Sequence, residues 1–165
     1  MKDVPTSLST FASAADDRYF EDYRVGDVHN FGKIAVDEAE IISFAKRFDP
    51  QSFHVDPDAA RQGPFGGLIA SGWHTAGLMM RLLTDHFIST VASLGSPGID
   101  EIRWLQPVRP GDDLSLRVTI RDAVPSKSKS DRGLVRCFIE VVNQQDSVVM
   151  TLIAMMLVRR RLPAG

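Results

Sequence analysis

Between Arg47 and His74 the chain reads RFDPQSFHVDPDAARQGPFGGLIASGWH, and residue types suited to proton chemistry are concentrated there. Asp49 and His54 stand on a segment broken by Pro50, which excludes a regular helix through both. A curled loop would instead turn carboxylate and imidazole toward one point, about a water's diameter from each. Downstream, GPFGGLIASG brings unhindered backbone to the start of a long helix, where free N–H groups and the helix dipole favour a developing negative charge. A base, an acid and oxyanion donors are the parts needed for proton chemistry beside a carbonyl. Each residue alone has a plainer reading. Asp56-Pro57 is the pattern of a helix start, Asp49-Pro50 that of a turn, and a lone histidine is more often a surface or satisfied core residue than a catalyst.

Rival motifs fail on spacing. Ser71 is not a nucleophile elbow, because Ile69 and Trp73 stand where glycines are needed. GPFGG lacks the Lys-Ser/Thr ending of a phosphate loop. His54, Asp56 and His74 lack the paired spacing of metal ligands, so neither a metal nor another cofactor is expected. Cys137 lies in a strand-like run and reads as a small buried hydrophobe.

The elements that must position this stretch are readable from period and punctuation. Residues 1 to 17 are rich in Ser, Thr, Ala and Asp without period and are expected to form a flexible N-terminal arm; the domain is expected over 18 to 161. A first strand fits Asp27 to Val36. A helix follows over DEAEIISFAKRF, with Asp37 and Glu40 as a capping pair and Asp49-Pro50 as its end. A second helix is expected from Ile69 or Ser71 to about Phe87, apolar nearly all round and therefore buried. From Ile99 the period becomes two: Gly98 to Leu105, a strand through Leu114, Leu116, Val118 and Ile120, then Leu134 to Asn143 and Val148 to Arg159. The first two of these are joined through PVRPGDD, where Pro110-Gly111 suits a type II turn, and the four strands are expected to connect as antiparallel neighbours. Helices first and antiparallel strands afterwards indicate a single α+β domain with the sheet on one side of the main helix. Open sheet edges make a dimer the expected form.

Composition narrows the partners. The 19 basic and 21 acidic residues leave a net charge of -2, which supplies no footprint for nucleic acid or an acidic membrane. No stretch approaches the roughly 18 apolar residues of a membrane span, and no signal-peptide core is visible, so a cytoplasmic protein is expected.

Taken together, the stretch resembles the MaoC-like dehydratases, which include the R-specific enoyl-CoA hydratases of the hotdog fold. Asp49, His54 and Asp56 keep the spacing of that family's Asp-x-Asn-Pro-x-His-x-Asp signature, followed by Ala59-Ala60, Phe65 and Ile69-Ala70-Ser71-Gly72. IRWLQPVRPGDDL, Ile102 to Leu114, is similar to the family's strand and Pro-x-x-x-Gly-Asp turn, and the likeness runs from about Tyr19 to Arg160. Gln51 and Ser52 replace the Asn-Pro pair, with proline at Pro50, and Ser71 stands where the family has histidine.

The resemblance implies one hotdog domain, an antiparallel sheet wrapped around a long central helix. It also implies a lyase of fatty acid metabolism: syn hydration of a trans-2-enoyl thioester, or dehydration of an R-3-hydroxyacyl thioester, carried by coenzyme A or acyl carrier protein. Asp49 and His54 would share the water, and backbone N–H groups of Gly72, or of Ser71 or Gly67, would meet the thioester oxygen. Phe65 and Trp73 are candidates for the acyl channel, although core packing is the commoner role for Trp73 at helical spacing. Arg103, Arg109 or the run Arg159 to Arg161 could meet coenzyme A phosphates; solvated charge is their plainer reading. A hotdog thioesterase and a non-catalytic acyl-CoA-binding module are the alternatives.

Overall fold

The computed structural model describes residues 11–162. Of the arm expected over 1 to 17, residues 1–10 lie outside the described residues. Phe11 and the short 3₁₀ turn Ala15–Asp17 pack onto the domain, with the Phe11 ring stacked on His29 at 4.0 Å between centroids. A second 3₁₀ turn, Phe20–Asp22, leads into strand β1 (Val28–Ala35) and helix α1 (Glu38–Phe48). Asp37 caps α1 by accepting from the Glu40 backbone N–H at 2.9 Å. Two short helices follow, α2 (Ser52–Val55) and α3 (Pro57–Gln62), then the central helix α4 (Gly72–His86). The remaining strands are β2 (Ile99–Trp104), β3 (Asp113–Pro125), β4 (Arg132–Val142) and β5 (Val148–Arg159).

The five strands form one antiparallel sheet in the order β1-β3-β4-β5-β2. The alternation along β3 puts Leu114, Leu116, Val118 and Ile120 inside, and β4 adds Val135, Cys137, Ile139 and Val141. These pack against Leu78, Met79, Leu82, Leu83 and Phe87 from the α4 side. A fully buried side chain of this kind contributes about 1.5–3 kcal/mol, so this shared face is the main source of stability. Gly32, at φ 85 in the irregular stretch of β1 between Phe31 and Ile34, permits close approach of the helix; a Cβ there would lie 2.5 Å from the Leu82 side chain.

Three expectations change. The period of α4 suggested burial on every side, yet Trp73, Gly77 and Met80 are exposed. These three residues share one side of the helix, and among the described residues it stays exposed even though the Trp104 ring from β2 meets Trp73. The segment through His54 is not wholly irregular either, since His54 sits on the single turn of α2. Pro50 still separates this turn from α1, so Asp49 and His54 do not share a helix.

The third change concerns β2 and β3, which were expected as neighbours joined by a turn. The turn exists: Asp112 N–H donates to Arg109 O at 3.1 Å and Gly111 has φ 86. It closes instead on the end of β1, through Gly111 N–H to Val36 O and Val36 N–H to Asp112 O. β2 pairs with β5, so the chain from Leu105 to Val108 must travel from one sheet edge to the other. It crosses the front of α4 on the way, where Val108 O accepts from Ala70 N–H at 2.8 Å. Periodicity detects a strand and a turn but carries no information about which strand is the partner.

Candidate active site

The site is assembled by backbone hydrogen bonds that hold three consecutive segments against that crossover. Asp49 ends α1, its N–H bonded to Ala45 O at 2.8 Å. The α2 turn is tied to the next segment by Ile69 N–H donating to Phe53 O at 3.1 Å. Ile69 O accepts from His54 Nδ1 at 2.8 Å. A carbonyl can only accept, so Nδ1 carries the hydrogen, and a neutral His54 presents a bare lone pair at Nε2. That nitrogen lies 3.3 Å from Asp49 Oδ2.

The Asp49 carboxylate has two donors of its own. Gln51 Nε2 donates to Oδ1 and the Ser71 hydroxyl donates to Oδ2, each at 2.7 Å. Together they hold the carboxyl below its ordinary range, the Gln51 bond first and the Ser71 bond second, with partial burial opposing and His54 assisting. Hydrogen bonds to the charged form of an acid have this effect because they are lost on protonation.

Asp49 and His54 open onto a cleft of about 350 Å³. Its walls include Phe65, Ile69, Gly72, Trp73, Trp104 and Gln106. The two indoles meet edge to face, 5.2 Å between centroids, one from α4 and one from β2. Gly72 is the first residue of α4, where the helix cannot satisfy its own N–H groups. Only glycine fits: a Cβ there would lie 2.5 Å from the Trp104 ring.

The structure therefore brings Asp49, His54, Gly72, Phe65 and Trp73 to one cleft. Ser71 is fully buried behind it, with its side chain on Asp49. Gly67 does not line the cleft and lies beside Arg109, whose Nη2 donates to Phe65 O at 2.6 Å. Arg103 is not brought there. It is exposed on β2 and turned to Glu101, two residues away on the same strand face, at 3.0 Å. Asp56 caps α3, accepting from Asp58 N–H and Ala59 N–H. Of the C-terminal run, Arg160 pairs with Glu21, and Arg161 pairs with Asp17 and Asp22.

Trp104, Gln106 and the side-chain roles of Gln51 and Ser71 were not foreseen. Trp104 comes from the end of β2 and Gln106 from the crossover that follows it, and neither carries a local signal for the cleft. Ser71 did carry one: serine immediately before a helix is a capping residue, and a cap has a proton left to donate. Among the described residues no group of three or more His, Cys, Asp or Glu is arranged to hold a metal, and no helix is long and apolar enough to cross a membrane.

This architecture, a five-stranded antiparallel sheet around one long helix with the cleft at its N-terminal end, is the hotdog fold. The chain belongs to the MaoC-like family, whose MaoC like domain matches residues 23–150. The crystal structure of a MaoC-like dehydratase from Rhodospirillum rubrum superposes with a TM-score of 0.79 at 42% identity, covering 88% of this chain and 99% of that one. An (R)-specific enoyl-CoA hydratase, also from Rhodospirillum rubrum, is 33% identical over 124 residues, 69% of this chain and 79% of the relative. The uncharacterized protein YdeM of Bacillus subtilis is 27% identical over 126 residues, 76% of this chain and 88% of the relative.

Proposed function

We propose that the protein is a hydro-lyase that adds water to a trans-2-enoyl thioester, or removes it from an R-3-hydroxyacyl thioester, with Asp49 and His54 as the reacting pair. The carrying observation is the 3.3 Å approach of His54 Nε2 to Asp49 Oδ2 at the wall of the cleft. Two acceptors facing each other at that distance need a proton donor beside them, and a water serves both.

In the hydration direction His54 Nε2 takes a proton from this water as its oxygen bonds to C3 of the substrate. The C2=C3 electrons move toward the thioester oxygen, which becomes enolate-like and is met by the Gly72 N–H. The imidazolium then returns the proton to C2, so that oxygen and hydrogen are added from one face. Asp49, held below its ordinary range, is a poor proton acceptor at neutral pH. It accepts a hydrogen bond from the water's second hydrogen, which stays on the oxygen as the new hydroxyl, and it stabilises the imidazolium. A positioned acid or base contributes about 10²–10⁴-fold, and an oxyanion donor about 10²–10³-fold.

The walls support one substrate class. Among the described residues no lysine or arginine lines the cleft, which favours an acyl group without a second carboxylate, and the paired indoles supply apolar surface for it. The carrier is coenzyme A or acyl carrier protein. Exposed Ile99, Trp104 and Leu105 along the β2 edge beside the cleft support a homodimer, or an assembly of dimers, as the working form.

The test follows loss of enoyl-thioester ultraviolet absorbance over a panel of neutral trans-2-enoyl-CoA substrates, with Asp49→Asn as control. The expected result is loss that requires both Asp49 and His54. Constant absorbance with every member, or free thiol released in place of hydration, would sink the reading.

A further inference from the structure

We propose that Ser71 is a positioning residue for Asp49: its hydroxyl, oriented by the first turn of α4, donates to Oδ2 and fixes how the carboxylate faces His54. The inference rests on Asp49 and His54 being the reacting pair, and it assigns the side chain that aims one of them.

A serine hydroxyl has one proton and two lone pairs. The Trp73 backbone N–H donates to Ser71 Oγ at 3.3 Å, which engages the oxygen as an acceptor in the cap of α4. The single proton is left for Asp49 Oδ2, at 2.7 Å. An ionised carboxylate cannot donate, so the direction of this bond is set from both sides. The other donor, Gln51, stands on an exposed loop two residues from Asp49, whereas Ser71 is fully buried and 22 positions away. The link through Ser71 is thus the one that couples the carboxylate to the central helix. Because Oδ2 is also the oxygen nearest His54, one bond sets both the register of the pair and its distance from the Gly72 N–H. Among the described residues that line the cleft, Asp49 and His54 are the titratable groups, so His54 is the charge partner that a titration of Asp49 must account for.

Capping and positioning can be separated, because glycine replaces a serine cap at a cost of only a few tenths of a kcal/mol but offers no proton. Threonine keeps both functions. The Asp49 side-chain carboxyl is followed by ¹³C NMR titration, assigned by its absence in Asp49→Asn, in the wild type, Ser71→Gly and Ser71→Thr. No substrate is needed for this measurement. The midpoint is expected to rise in Ser71→Gly and to return toward wild type in Ser71→Thr. In turnover of an enoyl thioester, Ser71→Gly should lower kcat by about 10²-fold with little change in KM. The acid limb of its pH profile should move upward with the Asp49 midpoint. An unchanged Asp49 midpoint in Ser71→Gly overturns the proposal, as does a moved midpoint with unchanged kcat and acid limb. A midpoint that moves in a protein whose wild type hydrates no thioester supports the hydroxyl–carboxylate link and defeats the hydratase reading instead.

Discussion

The two ends of α4 are finished in opposite ways. At the C-terminal end the carbonyls of His86 and Phe87 meet side-chain donors from the segment that precedes β1. Arg18 Nη1 donates to His86 O and Phe87 O at 3.0 and 2.9 Å, and the Tyr23 hydroxyl donates to Phe87 O at 3.0 Å. Phe11 lies under the Arg18 guanidinium at 3.6 Å. Burial lowers the Arg18 pKa and pushes the Tyr23 phenol up to about 12. A buried cation at the negative end of the helix dipole suits stability. At the N-terminal end a single hydroxyl caps the helix and is shared with Asp49, while Gly72 faces the cleft. One end of the same helix is closed by buried donors and the other opens onto the cleft, which is where a small molecule could reach it.

The comparison would break first at the open end. Asp49→Asn and His54→Gln should each cost about 10²–10⁴-fold in kcat/KM while the thermal midpoint changes little. Retained turnover in either variant would remove the pair from the chemistry. Gly72→Ala should come next, since the added methyl meets the Trp104 ring and shifts the first residue of α4, which lines the cleft. A fall of about 10²–10³-fold in kcat is expected, with retained secondary structure by circular dichroism as the check on folding.

At the closed end the loss should appear in stability alone. Arg18→Met deletes hydrogen bonds from a charged donor to buried carbonyls and should lower unfolding free energy in urea by about 2 kcal/mol. Activity per folded molecule should be unchanged. His74 supplies the finest test, because it stands in the first turn of α4 but faces α1 and the core. Its ring stacks on Phe44, and Nε2 is 3.9 Å from Glu40, outside hydrogen-bond range. Burial holds its pKa below 6.5, with Glu40 opposing. Near pH 6.5 and below, the unfolded chain therefore binds the proton more readily than the folded one. The stabilisation is fully present above pH 6.5 and is lost as pH falls through the folded value. His74→Leu should flatten the decline in thermal midpoint over that window; an unaltered slope would show that its burial has no linkage to folding.

The amino-acid order determined the local chemistry. Pro50 after Asp49 ends α1, Asp56-Pro57 starts α3, Ser71 precedes α4, and alternation along β3 and β4 selects the buried face; each depends on neighbours a few residues apart. The resemblance in the Asp49 to Gly72 stretch likewise led to the right family and fold before any coordinate. Strand partners were decided only by the tertiary structure, because register and neighbour depend on how the sheet closes over α4 and not on the period within a strand. The crossover of 105–108 follows from that pairing, and with it the Trp104 and Gln106 wall. The same closure left Arg103 facing Glu101 outside the cleft and turned Ser71 toward Asp49. Side-chain direction at long range is set by packing, which no local pattern encodes.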